Sequence, residues 1–153
     1  SQEIAVSSGG ASAFYRLRSD KDVNFTDALV QNAVENENLT GLLANKIKIV
    51  GVTIWADQQL QFRLSFYGTD AFQNADADVD SFEGEVVMDL PASGFQRAAT
   101  GLYVLDMQDL DIPYIDADST LEMHVQLQNL SATAKNAGAT GEVAVRVSYE
   151  IAQ

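Results

Sequence analysis

The chain has 153 residues, 46% of them hydrophobic, with 22 acidic against 9 basic side chains and a formal net charge of -13. That length and apolar share suit one core, and no apolar run approaches the roughly 18 residues a membrane-spanning helix needs. The acidic balance disfavours nucleic-acid binding and docking on anionic lipid, which need clustered positive charge, and the absence of cysteine excludes disulfides, thiolate metal sites and cysteine nucleophiles.

In chain order, "SQEIAVSSGGAS" is built of small and polar residues and reads as a flexible N-terminal arm, residues 1–12. It lacks the basic-then-apolar order of an uncleaved signal peptide. Residues 13–153 read as one β-sandwich domain, because no fixed repeat and no linker rich in Pro, Gly or Ser divides them. "AFYRLR" is a first candidate strand. "FTDALVQNAVENENLTGLL" then breaks the two-residue period. Leu29, Ala33 and Val34 stand at helical spacing, Thr26 and Asp27 are capping candidates and Gly41 is a stop, which predicts a short helix over residues 27–35.

From there the period of two dominates. "NKIKIVGVTIWAD" changes phase between Ile49 and Val50, as a bulge near Gly51 or burial of both faces requires. Leu60, Phe62, Leu64 and Phe66 alternate with polar neighbours, as do Leu121, Met123, Val125 and Leu127, and Val143, Val145, Val147, Tyr149 and Ile151. "GEVVMDLP", "GLYVLDM" and "LDIPYID" add shorter strands, Pro113 placing the last at an edge or bulge. About eight strands at this spacing predict an all-β antiparallel sandwich.

Chemistry-bearing motifs are few. His124 is the single histidine and stands on the polar phase of its strand, with no G-x-S-x-G elbow in the chain. It reads as a surface residue. Carboxylates such as Glu83, Glu85, Asp89, Asp106, Asp109 and Asp111 are plentiful, but no spacing marks two of them as opposed across a cleft, and no catalytic role is expected. In "FQNADADVDSFEGE", Asn74, Asp76, Asp78 and Asp80 are oxygen donors, and Glu85 falls twelfth counting from Asn74. Val79 occupies the sixth position, where an EF-hand loop needs glycine, so the motif predicts either a looser calcium site or a solvated acidic loop. "IDADST" reads as an acidic turn in which Asp118 or Ser119 bonds its own backbone. Asn24, Asn38 and Asn129 each begin an N-x-S/T acceptor sequence. Phe62, Phe66 and Trp55 are expected in the core, with Tyr67, Tyr103 and Tyr114 as better exposed contacts.

"SATAKNAGATG" joins two firm strands through small residues. It is longer than a tight hairpin needs, and it lets a neighbouring surface approach closely. Ser131, Ala132, Thr133, Ala134, Lys135, Asn136, Ala137 and Gly138 are therefore candidate assembly contacts. The stretch "LDIPYIDADSTLEMHVQLQNLSATAKNAGATGEVAVRVSYE", with the preceding "LQFRLSFYGTDAFQNAD", resembles single jelly-roll structural proteins of viruses and phages, over roughly Ile47 to Ile151. The resemblance implies an eight-stranded jelly roll that tiles into a virion shell, partnered by itself and other virion proteins, with the arm as an assembly clamp. The lack of a basic arm departs from shells that bind genome directly. The alternative expectation is a carbohydrate- or receptor-binding sandwich, of adhesin or tail-fibre type.

Overall fold

Alternating apolar and polar side chains let each strand bury one face, and two such sheets must cover each other to do so. The computed structural model describes residues 6–8, 11–13, 17–70, 82–90, 95–97 and 102–151, with backbone alone for 6–8, 11–13 and 95–97. Its strands are β1 (Val6–Ser8), β2 (Ala11–Ala13), β3 (Arg18–Phe25), β4 (Val34–Thr40), β5 (Lys46–Ala56), β6 (Gln61–Tyr67), β7 (Phe82–Asp89), β8 (Phe95–Arg97), β9 (Leu102–Met107), β10 (Ile112–Ile115), β11 (Glu122–Asn129) and β12 (Val143–Ile151). Much of the expected arm lies outside the described residues. Within it, β1 and β2 pair as a two-stranded antiparallel ribbon.

The main chain path doubles back at the antiparallel pair β6–β7. The returning strands then pair with the outgoing ones in reverse order: β9 and β10 on β5, β11 on β4, β12 on β3. This gives one sheet of order β3-β12-β5-β9-β8, with β10 also on β5, and a second of order β4-β11-β6-β7. Taking β9 and β10 as one interrupted strand, the pattern is an eight-stranded jelly roll. Both sheets feed one apolar core, including Phe25, Ile47, Ile54, Val145 and Tyr149 from the first and Phe62, Leu64, Phe66, Met88, Val125 and Leu127 from the second. Phe62 and Phe66 are thus core residues, as expected.

The phase change in β5 is a bulge. Ser148 pairs with Gly51 and Tyr149 with Ile49, so Val50 is an extra residue without a partner on β12. One inserted residue returns the inward phase to Val52, Ile54 and Ala56 after Ile47 and Ile49. The same row interrupts the neighbouring strand, for β9 ends at Met107 opposite Val52 and β10 begins at Ile112 opposite Ile49.

The helix expected over residues 27–35 is not formed. Leu29 pairs with Lys135 in an isolated bridge, Gln31 and Asn32 turn with Asn32 at φ 70°, and Val34 already belongs to β4. The capping candidates Thr26 and Asp27 donate their backbone N–H groups to the carboxylate of Glu35 instead. Long-range pairing of Val34–Thr40 with β11 outweighs the weak local periodicity. Trp55 is also not core: it is half-buried on the outer face of its sheet, opposite Ala144 and Val104.

Candidate functional site

Among the described residues, two loop clusters at the ends of the sandwich carry groups that strand pairing alone does not explain. At one end the loop between β10 and β11 is wound around Asp116. Its carboxylate accepts the backbone N–H groups of Asp118 (3.1 Å), Thr120 (2.9 Å) and Glu122 (2.9 Å), and Thr120 Oγ1 lies 3.1 Å away. The expected turn is therefore present, with Asp116 rather than Asp118 or Ser119 as its anchor. Burial works against the charged form of Asp116, yet these donors outweigh it and hold its pKa below the ordinary carboxylate value. The loop is tied to the rest of the fold through Asp116 N–H to Asn45 O, Ala117 N–H to Gly68 O and Leu121 N–H to Asn45 Oδ1.

This winding places Asp116 and Asp118 beside His124 on β11. His124 Nε2 lies 3.7 Å from Asp116 Oδ1 and 3.9 Å from Asp118 Oδ2. Asp116 and His124 are each 1% exposed, whereas the Asp118 side chain is 44% exposed. On the other side of the ring, Nδ1 stands 2.8 Å from Asn38 Oδ1. With that oxygen as acceptor, Nδ1 is the donor in this pair, and Nε2 is the ring nitrogen that faces the two carboxylates. The buried Tyr114 hydroxyl donates to Tyr67 O (2.6 Å) and lies 3.1 Å from Glu122 O, and it accepts the backbone N–H of His124. Burial pushes the Tyr114 hydroxyl pKa well up.

His124 is thus no ordinary surface residue, although it does stand on the polar face of its strand. Tyr67 and Tyr114 are buried and Tyr103 packs against the core, so none of the three is the exposed contact that sequence suggested. The legible signal was the spacing of Asp116, Asp118 and His124 around a tight turn, which folds a nine-residue segment onto itself.

At the opposite end, the small-residue loop is firmly held. Lys135 is buried, its Nζ donates to Asp27 O (2.6 Å) and Asn136 O (3.3 Å), and its backbone exchanges hydrogen bonds with Leu29. Desolvation lowers the Lys135 pKa, against the opposing fields of Glu35, Asp27 and Glu142. Gln58 brackets the loop, donating to Ala134 O and accepting Asn136 N–H, and buried Asn129 donates to Leu29 O and Thr133 O. Asn129 is in consequence closed to glycosylation in this fold, and the Asn38 amide is engaged by His124. Of the candidate contacts, Ala132, Thr133, Ala134, Asn136, Ala137 and Gly138 face solvent, Ser131 is half-buried and Lys135 points inward. Val30, 67% exposed, stands in the adjoining β3–β4 loop.

Of the expected calcium ligands, Asn74, Asp76, Asp78 and Asp80 lie outside the described residues. Glu85 is exposed on β7, its carboxylate 3.4 Å from Arg63 Nε.

No family model matches the chain, and no curated protein does. Among solved structures it aligns with a chain of turnip yellow mosaic virus at 10% identity, covering 90% of this chain and 93% of that one, with a TM-score of 0.32. The capsular polysaccharide assembling protein CapF of Staphylococcus aureus aligns at 12% identity over 92% of this chain and 32% of that one, with a TM-score of 0.25. A dTDP sugar isomerase of Desulfovibrio desulfuricans G20 gives 9% identity, 99% and 74% coverage and a TM-score of 0.17. Scores this low assign no function.

Proposed function

We propose that the chain is a non-enzymatic structural subunit that assembles with copies of itself into a virion shell, as a capsid or decoration protein. A jelly-roll frame is shared by shell, lectin and cupin domains, so the frame does not decide the matter. The observation that carries the reading is the end surface at Ser131–Gly138, where small exposed side chains sit on a loop pinned from beneath by Lys135, Asn129 and Gln58. Association is opposed by the entropy of ordering the contact surface, and a surface already held loses less of it.

Other routes to association are blunted. Strands β3, β4 and β7 lie at sheet edges, and Asp20, Asp22, Glu37, Glu83 and Glu85 load them with charge, which disfavours strand addition. That leaves the ends and faces of the sandwich, and the edge at β8, as routes to contact. The partners in this reading are further copies and other virion proteins, with neither nucleic acid nor a membrane bound directly. Sedimentation velocity of Ala134→Arg tests it. The variant keeps the parent's melting temperature but stays small where the parent forms large species, and equal assembly by both proteins contradicts the proposal.

A second reading, a carbohydrate- or receptor-binding module, is favoured by Trp55. Its half-buried indole lies under the Arg146 guanidinium at 5.7 Å, beside the Arg146–Asp22 ion pair, and aromatic faces of this kind stack on sugars. Glycan-array binding that Trp55→Ala abolishes, together with a monomer under all conditions, selects this reading over assembly.

A further inference from the structure

Asp116, Asp118 and His124 meet at the loop between β10 and β11, each offering one ligand atom, and these atoms lie within 4.8 Å of one another. We propose that Asp116, Asp118 and His124 bind a first-row transition-metal dication of the zinc class, with water completing its coordination.

The geometry is that of a site opened slightly around an ion. Bonds of roughly 2.1 Å at tetrahedral angles put ligand atoms about 3.4 Å apart. The 3.7 Å and 3.9 Å separations to Nε2 exceed a hydrogen bond and need only small adjustments to reach that spacing. The Asp118 side chain is 44% exposed, so it is the member of the three with the most room to move. Asp116 cannot drift, because the three backbone N–H groups of its loop hold it. Asn38 fixes the ring from its far side and sets Nε2 as the metal-facing nitrogen, the role that a hydrogen-bond partner plays behind a ligating imidazole.

The donor set also selects the ion. Calcium and magnesium prefer all-oxygen shells, whereas an imidazole nitrogen with two carboxylates suits zinc, manganese, cobalt or nickel. Asp118 opens the site to solvent, which gives an entry path and leaves positions for water. The inference is independent of the assembly reading, since it concerns one copy of the chain.

The single histidine makes the test direct, because its imidazole gives one pair of ring-nitrogen resonances. The ¹⁵N-labelled 153-residue chain, stripped with a chelator, is titrated with zinc chloride. The expected result is a large shift at Nε2 and a small one at Nδ1, saturating at one equivalent, with equimolar calcium leaving both unmoved. Asp118→Asn, an exposed change that spares the fold, weakens zinc binding about tenfold or more. Cobalt gives a d–d absorption band that the same variant loses. Ring resonances that respond to protons but not to zinc identify a histidinium held by two carboxylates and overturn the proposal. Zinc affinity unchanged by Asp118→Asn places the ion elsewhere on the acidic surface and overturns it equally.

Discussion

Leu121 holds φ at 59°, a left-handed conformation that costs a branched side chain about 1–2 kcal/mol. The cause lies on both sides of it, where the Asp116 carboxylate takes the N–H groups of Thr120 and Glu122, and Asn45 Oδ1 takes that of Leu121 itself. Leu121→Gly relieves that conformation, and the side chain it removes is 39% exposed. Chemical denaturation is therefore expected to show no loss of stability, or a gain of up to about 1 kcal/mol, where truncation of a core leucine costs about 2–5 kcal/mol. Lys135 behaves in the opposite sense. Lys135→Met keeps most of the buried volume but leaves Asp27 O without its donor and Glu35 without a nearby cation, a loss of about 1–3 kcal/mol by the same measurement. Glu37 supplies the pH-dependent case. Desolvation, and then the neighbouring Glu35 carboxylate, raise its pKa in the folded state. The folded protein thus holds a proton that the unfolded chain releases near pH 4.3, so this contribution is present below that pH and is lost as pH rises through the raised value. Glu37→Gln is expected to match the parent's melting temperature at pH 4 and exceed it at pH 7; a parallel offset at both pH values would contradict the assignment.

At the scale of elements, the strands with strict alternation were legible because their burial is one-sided. β6, β11 and β12 form as their periodicity predicts, and the phase slip in "KIKIVGV" marked the bulge at Val50. What sequence could not show was set by distant partners. β4 carries "VENENLT", with little apolar alternation, and exists because β11 pairs along its whole length. Trp55 was misplaced because the bulge resets which residues of β5 face inward. The site was half-legible: "IDADST" and His124 were both visible, but only the winding of the loop around Asp116 joins them. Two glycines separate flexible from rigid neighbours in this framework. A Cβ at Gly51 would meet the Gln108 side chain at 2.9 Å, which can swing away, whereas one at Gly141 would fall 2.0 Å from the backbone oxygen of Asn136. Gly51→Ala should cost on the order of 1 kcal/mol through lost Gln108 contacts, while Gly141→Ala should disrupt the loop at Ser131–Gly138 and lower the melting temperature far more. Equal effects of the two substitutions would contradict that account of the loop as a fixed platform.

At the scale of the whole molecule, charge and shape act against each other. A formal charge of -13 on 153 residues repels like copies at low ionic strength, and at about 0.15 M salt the screening length falls to about 8 Å. Assembly through the pinned end surface is therefore expected to strengthen as salt rises, opposite to the behaviour of a complex held by attraction between unlike charges. The central claim, that this jelly roll is a self-assembling subunit, is tested most directly by the light-scattering mass of the purified protein across a salt series, with electron microscopy of any large fraction. Closed particles, sheets or symmetric oligomers that grow with ionic strength are the expected result; a monomer at every salt and protein concentration would contradict the claim.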